Sequence, residues 1–142
     1  MILFTFNIFP ISVNKLYCTK FGQRRRFLTT EGKKFKEVIN SEVSERLKDQ
    51  SLYNEVSSLI QKPLEVELQV YSSSWLLKDQ RTVRVKDIGN IEKALLDSVF
   101  TSFKEMHIDL DDSQIWQLRL TKHFSTDPDK TIVVIKPFEG IV

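Results

Sequence analysis

Alternating apolar positions predict strands at the two ends and in the middle of the chain. In residues 2–9, every even-numbered position is apolar, and apolar residues also occur at odd-numbered positions. This pattern predicts a first strand with apolar residues on both faces, ended by Pro10. Residues 64–71 place Leu or Val at every second position between polar residues or Tyr. This second pattern predicts a strand with one buried face.

The last third of the chain alternates again. Residues 114–124 predict a strand with Trp116, Leu118 and Leu120 on its apolar side. A turn around Asp127-Pro128-Asp129 leads to a further strand at 131–136, so the two strands are expected to form a hairpin.

Two segments repeat at helical spacing instead. Thr29 or Thr30 is the expected N-cap of a first helix, whose stripe at helical spacing is Phe35, Val38, Ile39, Glu42, Val43 and Leu47. Its continuation through residues 53–60 is either a second helical piece or an irregular return. A further helix is predicted from Asn90 to Phe103. Residues 12–29 and 72–86 show no clean period and are predicted to be loops, the first of which is long enough to suggest a functional or mobile role.

The element order β-α-β-α-β-β predicts one α+β domain over residues 1–142, with the helices packed on a small mixed sheet. The 41% hydrophobic and 28% charged residues are typical of a folded globular chain. A chain of 142 residues buries a limited fraction of its surface, so a dimer interface would add to its core.

Charge is distributed unevenly, although the net charge is only +2. Basic residues dominate 15–36, namely Lys15, Lys20, Arg24, Arg25, Arg26, Lys33, Lys34 and Lys36. Acidic residues dominate 105–112. A basic arm beside an acidic pocket is typical of an enzyme that binds a polyanion and holds cations. Two solvated surfaces of opposite sign are the simpler interpretation.

The cysteine count and the N-terminal sequence bear on the compartment. Cys18 is the only cysteine, which excludes an internal disulfide and fits a reducing, cytoplasmic location. Residues 1–10 are apolar but lack a basic n-region, so they are expected to form a strand rather than a signal peptide. No apolar run approaches the roughly 20 residues of a membrane span, and no membrane partner is expected.

Candidate chemistry is concentrated in residues 86–97 and 111–114. On the predicted helix, Asn90, Lys93 and Asp97 share one polar face, and Asp87 directly precedes it. The Asp111-Asp112 pair comes just before a strand, so the connection can return it to the same end.

Two carboxylates that converge with a lysine suit metal-assisted phosphodiester cleavage. Hard oxygen ligands hold Mg²⁺, and a lysine can orient the nucleophile or stabilise developing negative charge. Each residue also has a structural explanation: Asp87 as a helix cap, Lys93 and Asp97 as a surface pair, and Asp111-Asp112 as a turn. A calcium loop at 107–112 lacks its required Gly and late Glu, and no zinc, P-loop or Ser-His-Asp motif is present.

These residues resemble the RusA family of Holliday junction resolvases. That family's pattern is Asp-x-Asp-Asn, a Lys three residues after the Asn, an Ala and an Asp in the same helix, and a later Asp-Asp-x-Gln. The corresponding runs are Lys86-Asp87-Ile88-Gly89-Asn90, Lys93-Ala94-Leu95-Leu96-Asp97 and Asp111-Asp112-Ser113-Gln114. The N-terminal half is similar as well, through Pro10, Tyr17, the Arg24–Arg26 cluster, Leu28-Thr29, Gly32 and Phe35.

The resemblance implies a Mg²⁺-dependent homodimer, with Mn²⁺ as an alternative metal, that cuts four-way DNA junctions by paired symmetric incisions. It implies that Asp87 and Asp112 are catalytic metal ligands and that Lys93 is the catalytic lysine. Asn90 and Asp97 are expected to support the helix start and Lys93. The basic residues expected to contact DNA are Lys15, Lys20, Arg24, Arg25, Arg26, Arg81, Arg84 and Lys86.

Gly89 departs from the pattern, because the family has a second Asp there. The site therefore binds Mg²⁺ weakly, uses a substitute ligand, or has lost catalysis. Glu92 and Asp111 are the candidate substitutes. Besides a junction resolvase, two alternatives stay open: a catalytically impaired junction-binding protein of the same fold, and a nuclease for other branched DNA.

Overall fold

The computed structural model describes residues 1–12, 17–19, 26–79 and 88–140. The strands in this part are β1 (Ile2–Phe6), β2 (Tyr17–Thr19), β3 (Arg26–Leu28), β4 (Leu64–Ser72), β5 (Ile115–Phe124) and β6 (Lys130–Pro137). The helices are α1 (Thr30–Arg46), α2 (Gln50–Ser57) and α3 (Ile88–Glu105). Single 3₁₀ turns cover Ser73–Trp75 and Asp112–Gln114. The predicted α+β class is confirmed.

A four-stranded mixed sheet has the order β1-β6-β4-β5. β6 runs antiparallel to both β1 and β4, whereas β5 runs parallel to β4. The expected hairpin of the last two strands is therefore wrong, because β4 lies between β5 and β6. A parallel neighbour needs a long crossover, and α3 supplies it between β4 and β5.

The helices of the described residues cover one face of the sheet. Ile2, Phe4 and Phe6 of β1 are buried, whereas Leu3 between them is 40% exposed. Leu3 thus puts an apolar side chain on the second face, as expected, but that face has no covering layer in the described part of the chain. The covered face packs with α1, α2 and α3 into one core cluster.

Helix α1 begins as predicted. The Thr29 hydroxyl oxygen accepts a hydrogen bond from the Gly32 N–H at 2.9 Å, which satisfies one of the free donors of the first turn. Phe35, Ile39 and Val43 are buried against the sheet and α3. α2 is the second helical piece that the sequence left open.

Both predicted loops contain regular structure. β2 and β3 form a small antiparallel pair within 12–29, and the buried Trp75 begins what was expected to be a polar loop. The Trp75 indole N–H donates to the Val70 carbonyl at 2.9 Å, which ties the turn to the end of β4. Within the described residues, no helix is both long and apolar enough to span a membrane.

Candidate active site

Helix α3 presents a polar edge beside its buried face. Ile91, Ala94 and Leu95 are buried, because they recur at the spacing that faces the sheet and α1. Lys93 and Asp97 are exposed one turn apart on the polar edge, as predicted. The predicted surface ion pair between them is not among those of the described residues.

An open groove of about 570 Å³ runs between this edge of α3 and the start of β5. Its lining residues are Glu92, Lys93, Leu96, Asp97, Asp112, Ile115, Trp116 and Leu118. The groove brings Lys93 together with Asp112, although a helix end, a connection and a turn separate them in the chain. Lys93 and Asp112 are two of the three residues that the sequence pattern expects to converge, and the third, Asp87, lies outside the described residues.

Gln114 fixes the turn that carries Asp112. Its side-chain amide N–H groups donate to the carbonyl oxygens of Leu59 and Lys62 at 3.0 and 2.9 Å. Its side-chain oxygen accepts from the Asp111 N–H at 2.9 Å. The turn after α3 is therefore anchored to the residues that follow α2, so the backbone at Asp112 has a defined position.

The two adjacent aspartates differ in electrostatics. Partial desolvation raises the pKa of Asp112, and a hydrogen bond and repulsion with Asp111 together with repulsion from Asp97 raise it further. The pKa of Asp111 is lowered, chiefly by the hydrogen bond that the Ser113 hydroxyl donates to it at 2.9 Å. Asp111 also lies 3.6 Å from the Lys104 ammonium and is not among the groove-lining residues.

Asp97 forms an ion pair across two helices. Its carboxylate lies 3.2 Å from the ammonium of Lys36 on α1. The pair joins the groove to α1, which carries the last residues of the basic segment 15–36. Its predicted support for Lys93 stays a prediction, since the structure gives Asp97 this other contact.

Glu92 is the half-buried carboxylate of the groove. Its Oε2 atom is buried without a hydrogen-bond donor in the described part of the chain. Burial raises the pKa of this carboxyl, and the nearby Lys93 charge opposes that shift. A buried carboxylate oxygen with no donor is an unfavourable arrangement for a protein alone, and a bound cation would compensate it.

Part of the predicted metal site lies among the described residues, which include Glu92, Asp111 and Asp112. Among the described side chains, no group of three His, Cys, Asp or Glu residues is close enough to hold a metal ion. Asp87 lies outside the described residues, as do Lys15, Lys20, Arg24, Arg25, Arg81, Arg84 and Lys86. Arg26 and Asn90 are described only as backbone of β3 and α3. Asp112 and the orphaned oxygen of Glu92 fit a hard divalent cation that gains a further ligand from elsewhere.

Trp116 was misplaced by the sequence pattern. The pairing of β5 with β4 shifts by one residue between Leu64 and Glu65, so that Leu64 pairs with Ile115 and Glu65 with Gln117. Trp116 is the extra residue of this bulge and is 63% exposed, whereas Leu118 and Leu120 are partly buried and pack against the core. The odd spacing of the core residues Ile115 and Leu118 was the available signal.

The chain was compared with known proteins. The family model described as Endodeoxyribonuclease RusA matches residues 8–136, nearly the whole chain. The matched range includes α3, the turn of Gln114 and every residue that lines the groove. No curated protein matches the chain.

Proposed function

The chain belongs to the RusA family of endodeoxyribonucleases, and from that membership we propose that it resolves four-way DNA junctions by paired, metal-dependent incisions. The observation that carries the proposal is the convergence of Lys93 and Asp112 on one groove. A positive group beside carboxylates suits a reaction that brings a phosphodiester to a divalent cation and builds up negative charge on its oxygens.

Three carboxylates would hold the metal in this proposal. Asp112 and Asp87 are the ligands that the family pattern assigns, and Glu92 supplies the oxygen that Gly89 does not. When bound, Mg²⁺ or Mn²⁺ would polarise the phosphate and provide a nucleophilic water. The elevated pKa values of Asp112 and Glu92 are what carboxylates without a neutralising cation are expected to have.

Glu92 is a better substitute ligand than Asp111. The Asp111 carboxylate is already used by Ser113 and Lys104 and does not line the groove. Glu92 lines it and has a carboxylate oxygen without a donor among the described residues. Because residues three apart on a helix are neighbours, Glu92 lies over the position that Gly89 leaves without a side chain.

Lys93 acts on the phosphate itself. Its exposed ammonium is free to approach a non-bridging oxygen of the scissile phosphate, where it would favour the charge that develops during attack. Asp97 is engaged by Lys36, so its proposed part is to keep α1 and the groove-lining edge of α3 together. Neither residue needs to transfer a proton in this scheme.

The DNA-binding part of the proposal rests on the basic residues of the sequence and on the position of Lys36. Lys36 at the end of the basic arm pairs with Asp97, which puts the start of α1 beside the groove. The arm residues from Lys15 to Arg26, together with Arg81, Arg84 and Lys86, would neutralise junction phosphates. Two equivalent strands are cut in a symmetric junction, so a homodimer with two equivalent sites is the assembly we propose.

Gly89 favours a second candidate, a protein that binds junctions but cuts them poorly. A cleavage assay distinguishes the resolvase from the junction-binding protein. It uses a labelled synthetic four-way junction and a linear duplex of matched sequence, each incubated with Mg²⁺, Mn²⁺ or EDTA. We expect paired cuts in the junction alone, in the presence of metal only. Tight junction binding without cutting in either metal would favour the second candidate, and cutting of flaps in preference to junctions would assign another branched substrate.

A further inference from the structure

Trp116 is an exposed aromatic residue at the edge of the groove. It is 63% exposed, whereas Trp75, the other tryptophan, is 4% exposed. A large aromatic side chain is seldom left this open to water without a partner, since burying it is among the most favourable single contacts available to a protein. Its neighbours in the groove are Lys93 and Asp112, the residues proposed to act on the phosphate.

The backbone holds Trp116 in place. The β-bulge places it outside the core, against which Leu118 and Leu120 pack as partly buried side chains. Just before Trp116 in the chain, the turn of Gln114 is anchored to Leu59 and Lys62. The backbone of Trp116 therefore belongs to a paired strand beside an anchored turn rather than to a free loop.

Phe138, which directly follows β6, packs against the indole of Trp116. The two ring centroids lie 5.8 Å apart with the planes tilted by 54°. Phe138 itself is held by the hydrogen bond that its N–H donates to the Pro63 carbonyl at 2.9 Å. The tilted arrangement of the two rings is a favourable one for an aromatic pair, and Trp116 still lines the groove.

From this geometry we infer that Trp116 is a stacking platform for an unpaired nucleobase next to the phosphate that the groove receives. The inference rests on the proposed nuclease function and adds a residue that selects the substrate. A base can stack on a ring that is exposed and uncharged, as the indole of Trp116 is. A phosphate bound near Lys93 would bring the neighbouring base within range of this edge of the groove. Stacking on an aromatic side chain tolerates any base, because every base has a π-face.

Such a platform discriminates between DNA structures. In a linear duplex the base faces are covered by neighbouring pairs, and only their edges are accessible. At a branch point a base can leave the stack at lower cost, so an aromatic residue beside the scissile phosphate favours branched DNA. Trp116 is therefore expected to contribute to junction selectivity rather than to general DNA affinity.

Two variants and one control test the inference. Binding to a four-way junction and to a matched linear duplex is measured in EDTA, which prevents metal-dependent cutting. Trp116→Ala is expected to weaken junction binding about tenfold, within the range for loss of one base stack, and to change duplex binding less than about twofold. Trp116→Phe keeps an aromatic ring and is expected to fall between the wild type and Trp116→Ala. Phe124→Ala removes an aromatic residue, 42% exposed, from the far end of the same strand and is expected to bind as the wild type does.

Tryptophan fluorescence gives a readout on the same samples. Junction binding should quench the wild-type emission, and Trp116→Phe, which retains only buried Trp75, should lose that response. Comparable junction affinity in Trp116→Ala and wild type overturns the inference while leaving the nuclease proposal intact. So does a change of oligomeric state in Trp116→Ala, measured by light scattering, because it would assign the indole to contact with a second copy. A wild-type protein without preference for the junction overturns both.

Discussion

The side chain of Gln114 donates a hydrogen bond to the backbone carbonyl of Leu59 at 3.0 Å, which joins the turn after α3 to the residues that follow α2. A second N–H of the same amide reaches the Lys62 carbonyl at 2.9 Å. Two carbonyl acceptors require a group with two donors, which an amide has and a carboxylate lacks. The contact explains why a glutamine closes the Asp-Asp-x-Gln run: it positions the backbone of Asp112.

Replacing Gln114 should therefore impair both stability and cleavage. Gln114→Ala removes these hydrogen bonds and is expected to cost about 1–3 kcal/mol of unfolding free energy. Gln114→Glu should be at least as destabilising at neutral pH, because it sets carboxylate oxygens against two carbonyl oxygens, and should recover in acid as the carboxyl becomes protonated. Thermal denaturation at pH 7 and pH 4 measures both effects. Gln50→Ala, whose exposed amide bonds only to Asn54, should lose less than about 0.5 kcal/mol, and an equal loss would contradict a special role for Gln114.

Lys93 is expected to matter for the rate of cutting and little for binding. Lys93→Ala should reduce the single-turnover cleavage rate about 10²- to 10³-fold, the effect of removing one preorganised positive donor from a charge-developing site. Junction affinity should fall only slightly, since one phosphate contact among many is lost. Lys48→Ala, which removes an exposed lysine outside the groove, is the control for loss of charge. A cleavage rate equal to that of the wild type would remove Lys93 from the proposed mechanism.

Gly89 allows the missing carboxylate to be restored. Gly89→Asp should increase cleavage at limiting Mg²⁺ and lower the Mg²⁺ concentration needed for half-maximal rate. Gly89 lies in the first turn of α3, so the variant should also gain stability from helix propensity and from an acidic residue near the helix start. Gly89→Ala provides the propensity gain without the ligand. Equal metal requirements in the two variants would mean that the family's second Asp is not what limits this site.

The sequence predicted where Lys93 and Asp112 lie on their elements, but it did not predict the order of the strands in the sheet. Helical periodicity puts Lys93 on the polar edge of α3, and Asp112 before a strand must return to the same side of a small domain. Both predictions depend only on local geometry. Periodicity says which face of a strand is buried but not which strand lies beside it, so the position of β6 between β1 and β4 could not be obtained from it.

Trp116 shows a second kind of limit. One extra residue in a strand transfers a side chain from one environment to another, and alternation was counted across the bulge as though it were absent. The ion pair of Lys36 with Asp97 was not predicted either, because it depends on how α1 and α3 pack. Contacts between distant elements follow from tertiary packing, which local patterns do not contain.

Glu92 supplies a prediction in which stability and metal binding oppose each other. Burial raises its pKa above the ordinary value near 4.5, so the folded state holds the charged form less well than the unfolded chain does. Stability is therefore lost as pH rises from the unfolded pKa through the folded pKa, and the loss persists at neutral pH. Glu92→Gln removes the ionisable group. Because a neutral amide is cheaper to bury than a carboxylate, the variant should melt a few degrees higher than wild type at pH 7 and at the same temperature below pH 4.

Metal binding should counteract the difference in melting temperature between Glu92→Gln and wild type at pH 7. A cation that binds the folded state alone raises the melting temperature by mass action, and wild type has the additional carboxylate oxygen with which to bind it. Titration with Mg²⁺ or Mn²⁺ at pH 7 is expected to raise the melting temperature of wild type more than that of Glu92→Gln, independently of any cleavage. Glu105→Gln, an exposed change at the end of the same helix, should behave as wild type with and without metal. Should Glu92→Gln gain as much from metal as wild type, the ligand that replaces the family Asp would have to lie elsewhere, since Glu92 would then be a buried charge with no part in holding the cation.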